Sequence, residues 1–188
     1  MKVTNILLSF LIAMFFMSCG GTKKLETVTK SQEISLPFSE TKYKTDKDFF
    51  RAKNVGKSPD VATAKKIALQ NAKTELASNI KSLTKRVLDQ YTNQRSIGDK
   101  QEYENKFEEQ TREVVSQTLT DIRIIDEKVF KETDGSYSYW VVIETSKQSM
   151  LDGITKKITN NEKLQLDYDK KKFEETFNNE MEKLSKDQ

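Results

Sequence analysis

Residues 49–60 have the sequence FFRAKNVGKSPD, and they predict a strand, a turn and the start of a helix in that order. Gly56 closes the strand. Ser58 is expected to accept hydrogen bonds from the first free amides of the helix, and Pro59 suits the first helical position because it has no N–H. Asp60 is favoured at the positive end of the helix dipole. The helix is therefore expected to begin at about Pro59.

A long amphipathic helix is predicted directly after this start. Its apolar residues recur at intervals of three and four, which indicates one buried helix face. They are Val61, Ala64, Ala68, Ala72, Leu76, Ile80, Leu83, Val87 and Tyr91. The alanines of the first half predict close contact with a sheet, and the larger side chains of the second half predict a wider contact.

A β-hairpin is predicted around the turn Thr133-Asp134-Gly135-Ser136, between the apolar segments 121–130 and 137–145. A two-residue loop would pair Phe130 with Tyr139. The preferred three-residue loop pairs Val129 with Tyr139 and Ile125 with Ile143, because a slip of one residue would turn one strand's apolar set outward. The expected buried face then carries Ile125, Val129, Tyr139, Val141 and Ile143.

Trp140 and Val142 are expected on the opposite face of the hairpin. That face is covered by a helix or by the chain before the first strand, or it offers an aromatic patch to a partner. Trp140 is therefore a candidate for partner contact.

Further helices are predicted from apolar periodicity. One covers residues 101–118, and another follows a cap at Ser146. The last carries Phe173, Phe177 and Met181 at intervals of four on a highly charged segment. This stripe either docks on its own domain or pairs with a second chain, so these three residues are also candidates for partner contact.

The predicted fold class is α+β. A short antiparallel sheet, made of one strand and a β-hairpin, packs against the long helix, with additional helices and a carboxy-terminal helical extension. The expected domain covers residues 49–158, and the amphipathic extension covers 159–188.

The amino terminus is typical of a lipoprotein signal peptide. An apolar run at residues 6–17 is too short to span a bilayer, and small residues follow it. Met17-Ser18-Cys19-Gly20 resembles a bacterial lipobox, in which the cysteine is acylated and becomes the first mature residue. We expect residues 1–18 to be removed, Cys19 to be lipidated and residues 19–48 to form a flexible tether. The apolar interruption at residues 34–38 is either part of this tether or an irregular edge segment against the domain, because Pro37 cannot donate to a central ladder. Because Gly20 rather than Asp follows the cysteine, the periplasmic face of the outer membrane is the expected location.

Composition restricts the possible functions. The 188 residues include no histidine and one cysteine, which excludes Ser–His and Cys–His catalysis and His- or Cys-based zinc sites. The net charge of +3 comes from basic and acidic residues mixed along the chain, which does not indicate nucleic-acid binding. With 35% hydrophobic and 32% charged residues, one modest core is expected.

The chain resembles the LPP-twenty family of bacterial lipoproteins. The resemblance rests on Ala52 and Gly56, the alanine ladder from Ala64 to Ile80, and the hairpin residues 139–143. It covers about Phe49 to Ile158, and this body is also similar to the amino-terminal domain of flagellar assembly protein T. Residues 162–164 and 173–177 resemble an extension found in Bacteroidota members. The resemblance implies an envelope location and an assembly-related role, with no catalytic residues.

These observations predict a non-catalytic, lipid-anchored envelope protein that acts as a binding or assembly module. No catalytic, cofactor or metal residues are expected. The expected partners are the membrane, through the lipid on Cys19, and another envelope protein. The alternative is a structural outer-membrane lipoprotein that associates with itself.

Overall fold

A computed structural model describes residues 34–186. The predicted signal peptide, Cys19 and the first part of the predicted tether lie outside the described residues. Their processing and lipidation stay predictions.

The sheet has three antiparallel strands, which are β1 (Phe49–Ser58), β2 (Arg123–Lys131) and β3 (Tyr137–Ser146). The spatial order is β1-β3-β2, so the second strand of the hairpin lies in the centre. β1 pairs with β3 along its whole length, from Phe49 opposite Ser146 to Ser58 opposite Tyr137. The predicted combination of one strand and a hairpin is confirmed.

Five helices accompany this sheet within residues 34–186: α1 (Val61–Asn93), α2 (Lys100–Thr118), α3 (Lys147–Thr159), α4 (Glu162–Leu166) and α5 (Lys170–Lys186). α1 packs along β1 and β3, α5 packs on α1, and α2 packs on α3. The fold is therefore α+β, as predicted, with the long helix at its centre.

The first turn of α1 differs from the prediction by two residues. Asp60 is the N-cap, because its carboxylate accepts a hydrogen bond of 2.7 Å from the Thr63 amide. Ser58 instead accepts a bond of 3.2 Å from the Asp60 amide. Pro59 precedes the cap, and the predicted cap at Ser58 is wrong because Asp60 competes for the same role.

The alanine ladder brings α1 into direct contact with β1. Ala64, Ala68 and Ala72 have no exposed surface. A Cβ atom at Gly56 would lie 2.2 Å from the Ala64 carbonyl oxygen and 2.5 Å from the Ala68 nitrogen. Only glycine permits this backbone approach, and the predicted close contact between helix and sheet is confirmed.

The hairpin follows the three-residue loop, with Gly135 at a φ of 82° and Val129 opposite Tyr139. A β-bulge then shifts the register, so that Ile124 pairs with Ile143 and Asp126 pairs with Val142. The predicted pairing of Ile125 with Ile143 is therefore wrong.

The bulge also changes which side chains are buried. Ile125 packs against the cluster around Val142 and Trp140, on the face away from α1. Val129 does lie opposite the buried Tyr139, but it is 46% exposed on its edge strand. The expected buried face is therefore present on β3, whereas the expected residues of β2 do not continue it.

The carboxy-terminal helix belongs to the main core. Phe173, Phe177 and Met181 are at most 1% exposed. The Phe173 ring centroid lies 5.6 Å from those of Tyr91 in α1 and Phe107 in α2. Of the two roles that the sequence left open, docking on its own domain is the one present. The Phe173 stripe is not available to a partner in this structure.

Candidate functional site

The outer edge of β1 is closed by side chains and by the segment before the strand. The Thr45 hydroxyl accepts from the Arg51 amide at 3.0 Å and donates to the Arg51 carbonyl at 3.2 Å. The Asp46 amide donates to the Phe49 carbonyl, and Asn71 donates to the Val55 carbonyl, each at 3.0 Å. These contacts occupy outward backbone groups of Phe49, Arg51 and Val55, which another strand would need.

The outer edge of β2 is open within residues 34–186, because no further strand pairs with it. Backbone groups alternate in direction along an antiparallel strand. The backbone groups of Arg51 point away from β3, toward Thr45, and the same holds for the other odd-numbered residues of β1. The β3 residues opposite them therefore direct their own backbone groups the other way, toward β2. The outward groups of β2 are then those of Glu127, Val129 and Lys131.

The outward amide of Glu127 donates to the Asp126 carboxylate at 2.8 Å, and apolar side chains accompany the outward groups of Val129 and Lys131. Ile124, Val129 and Phe130 are 43%, 46% and 42% exposed. A long edge strand with exposed apolar side chains is a template for pairing with another chain. The charged residues of β2 limit unspecific pairing without removing this capacity.

A groove of about 600 Å³ adjoins β2 on the sheet face away from α1. Trp140 and Phe130 line it from the sheet, and Leu36 and Phe38 line it from the segment before β1. Trp140 is half-buried, and its side chain packs on the cluster of Phe38 and Val142. The groove therefore has an aromatic wall beside an open strand edge.

The segment that completes the groove is fastened to the sheet. Phe38 is 1% exposed although its φ of 61° is unfavourable for a side chain with a Cβ. The Lys53 ammonium donates to its carbonyl at 2.8 Å, and the Lys128 ammonium lies 4.9 Å from its ring centroid. The last part of the expected tether, from about residue 37, therefore packs on the sheet, which is the edge-segment alternative for Phe38 and a departure from a flexible tether for the residues after it.

A charge network holds the same segment at its other end. The buried Glu144 carboxylate accepts from Arg51 at 3.0 Å and from Arg123 at 2.5 Å. Arg51 also donates to Asp46 at 2.6 Å. Because both arginines share Glu144, the network ties β1, β2 and the preceding segment together.

Carboxylates on β2 are engaged in structural contacts. The hydrogen bond from Tyr43 keeps the pKa of Asp126 below its usual range. Hydrogen bonds from Tyr139 and Lys65 lower the pKa of Glu127. Both groups are therefore ionised near neutral pH. Within the described part of the chain, no group of three or more acidic, His or Cys residues could hold a metal ion.

Of the predicted site residues, Trp140 alone lies at this surface. The stripe of Phe173, Phe177 and Met181 is buried under α1, and Cys19 lies outside the described residues. Sequence reasoning missed Phe130 and Leu36 as neighbours of Trp140. Phe130 was visible as an aromatic residue on a strand, but its exposure depends on which strand lies at the edge.

None of the helices among residues 34–186 is long and apolar enough to span a bilayer. Comparison of the chain with family models, with curated proteins and with solved structures finds no match. The LPP-twenty resemblance therefore stays an expectation.

Proposed function

We propose that the protein is a non-catalytic binding module of the cell envelope. It is held on the periplasmic face of the outer membrane through a lipid on Cys19, and it captures an extended segment of another envelope protein. The observation that carries this proposal is the contrast between the two sheet edges. Thr45 and Asn71 cover the β1 edge at Arg51 and Val55, whereas no strand or preceding segment among residues 34–186 pairs with the β2 edge beside the Trp140 groove.

The segment would bind by adding a strand to β2. In this mode the backbone hydrogen bonds provide affinity, and pockets for alternate side chains provide specificity. The outward groups of Val129 and Lys131, and the Glu127 carbonyl, would pair with the segment's backbone, while the Glu127 amide stays bonded to Asp126. The groove between Phe130 and Trp140 would receive an apolar side chain from it, which is consistent with the enrichment of aromatic residues at binding surfaces.

Self-association is the second candidate, and the charge pattern of β2 favours it. In an antiparallel pair of two copies centred on Val129, Glu127 would lie opposite Lys131 on both sides. Such a pair uses the strand edge alone. The proposed partner segment also uses the groove, and for this reason it is the first candidate.

The test is photocrosslinking of the full chain in native membranes. Phe130→p-benzoylphenylalanine places the probe at the open edge, and Lys57→p-benzoylphenylalanine places it on the exposed end of the closed edge. We expect crosslinks to another protein from position 130 and not from position 57. Val129→Pro removes an outward N–H and should abolish them.

The outcomes separate the candidates. A crosslinked dimer of the protein itself would replace the proposal with self-association. Equal crosslinking from both positions, or crosslinks that persist in Val129→Pro, would refute binding at the β2 edge.

The membrane anchor has its own test. Cys19→Ser should leave the membrane fraction or remain unprocessed, because the thiol would be missing from the lipobox. A Cys19→Ser protein that fractionates and migrates like the parent would show that the anchor assignment is wrong.

A further inference from the structure

A second groove lies between α1 and α2. It has a volume of about 510 Å³. Its apolar wall is formed by Ala77 and Leu88 from α1 and by Phe107, Val115 and Leu119 from α2. At a rise of about 1.5 Å per residue, the stretch from Ala77 to Leu88 is roughly 16 Å long. The shape suits an elongated apolar ligand better than a compact one.

The rim of this groove is predominantly basic. Lys81 and Lys85 lie along α1 and Arg112 lies on α2, against a single acidic residue, Glu108. All three cationic side chains belong to exposed residues. Among residues 34–186, none of the ion pairs within 4 Å involves any of them. The rim is therefore electrostatically suited to an anion.

Thr111 adds a polar group inside the groove. It is 6% exposed, and its hydroxyl has no hydrogen-bond partner among the described residues. Other helical threonines bond back to the carbonyl four residues earlier, as Thr84 does to Ile80 at 3.0 Å and Thr118 does to Val114 at 2.8 Å. A buried hydroxyl without a partner is costly, and such groups are uncommon in native structures.

We propose that this groove binds an anionic amphiphile with one acyl chain. The chain would lie along the apolar wall. The carboxylate or phosphate of the head group would lie between Lys85 and Arg112 and would accept a hydrogen bond from Thr111. The site is separate from the β2 edge and does not depend on the function proposed there.

The test is photolabelling of the full chain in native membrane vesicles with a diazirine-bearing fatty acid, followed by mapping of the labelled peptides. We expect label in the peptides of α1 and α2 that line the groove. Laurate should compete for labelling, whereas dodecylamine, which has the same chain and the opposite charge, should not. Competition by lysophosphatidylglycerol would extend the ligand class from carboxylates to phosphates, and competition by laurate alone would restrict it to carboxylates.

Substitutions test which residues of the groove contribute to binding. Lys85→Gln with Arg112→Gln should reduce competable labelling about tenfold, because two charge-assisted contacts are lost. Lys66→Gln with Lys171→Gln removes the same charge from exposed sites outside the groove and should leave labelling unchanged. Ala77→Phe should block the groove. Thermal unfolding of each variant shows whether it is folded. If Ala77→Phe does not fold, the charge variants alone test whether the groove binds the ligand.

Several results would overturn the proposal. Label spread evenly over the chain, or equal competition by dodecylamine, would show unspecific partitioning. Unchanged labelling in the Lys85 and Arg112 variant would show that the basic rim does not bind the head group. Absence of competable label from the peptides of α1 and α2 would show that no acyl chain lies in the groove.

Discussion

The two halves of α1 make different kinds of contact. Near the amino terminus, Ala64 and Ala68 lie so close to Gly56 that no side-chain atom fits between helix and strand. Near the carboxy terminus, Tyr91 packs on Phe173 of α5, and on another side the groove toward α2 leaves about 510 Å³ unfilled. The same helix therefore has a tightly packed half and a half with space beside it.

This difference indicates a division of roles. Protein interiors normally pack at the density of organic crystals, and the contact of α1 with β1 conforms to that rule. The α1–α2 groove is open to solvent, and it combines space with the unbonded hydroxyl of Thr111. Departures from local packing and hydrogen-bonding rules are expected at functional sites. The following predictions measure how far the two halves differ.

The largest expected effect is on the aromatic contact of the second half. Phe173→Ala should lower the free energy of unfolding by about 3–5 kcal/mol, because the ring is buried among Tyr91, Phe107 and Phe177. Chemical denaturation measures this change. Phe130→Ala, at a 42% exposed position, is the control and should change stability by no more than about 0.5 kcal/mol. Similar midpoints for both variants would mean that α5 does not dock on α1.

The next largest effect is expected at the tightly packed half. Gly56→Ala should cost about 1–3 kcal/mol or more, because the added Cβ would meet backbone atoms of α1 that cannot move aside individually. Gly98→Ala is the matched control, since a Cβ there meets nothing within 4 Å. An unfolding midpoint of Gly56→Ala equal to that of Gly98→Ala would contradict the close approach.

The tightly packed half could be predicted from the sequence because its signals are local. The interval of the alanines gives the buried helix face, and their size gives the short distance to the sheet. The turn at Gly135 likewise fixed the pairing of Val129 with Tyr139. Each of these signals lies within a few residues of the feature that it predicts.

The candidate sites could not be predicted in the same way, because they depend on tertiary arrangement. No glycine or other turn residue in the sequence indicates the bulge at Ile125, and this bulge determines which apolar side chains of β2 are exposed. Phe38 was visible at the end of a short apolar interruption, but its position over Val142 depends on contacts with distant strands. The α1–α2 groove arises where two helices diverge, which helical periodicity does not reveal.

A smaller effect is expected from acid at the junction of α1 and α5. Burial alone would raise the pKa of Glu180, but hydrogen bonds from Lys183, Gln90 and Arg86 outweigh it and lower the pKa from the ordinary value of 4.5. A carboxylate with a lowered pKa stabilises the folded state above its unfolded pKa. This stabilisation should be lost as the pH falls below about 4.5 and through the folded pKa.

Unfolding curves between neutral and acid pH measure this contribution. Glu180→Gln should lower stability at neutral pH and reduce its further loss in acid. Glu182→Gln is the control. The hydrogen bond from Lys186 lowers the pKa of Glu182 too, but this residue is exposed, and an exposed pair contributes little to stability. The same acid dependence in Glu180→Gln and the parent would show that Glu180 does not hold α5 on α1.

The smallest expected effect has the opposite sign and tests the α1–α2 groove. Thr111→Val removes a buried hydroxyl without a partner while keeping the shape of the side chain, so stability should stay unchanged or rise by up to about 1 kcal/mol. Thr84→Val is the matched control in the same groove. Its hydroxyl donates to the Ile80 carbonyl at 3.0 Å, and its loss should cost about 0.5–1.5 kcal/mol. If Thr111→Val destabilises the protein as much as Thr84→Val does, the Thr111 hydroxyl has a partner in the folded protein, and the groove loses the polar group that distinguishes it from an ordinary packing defect.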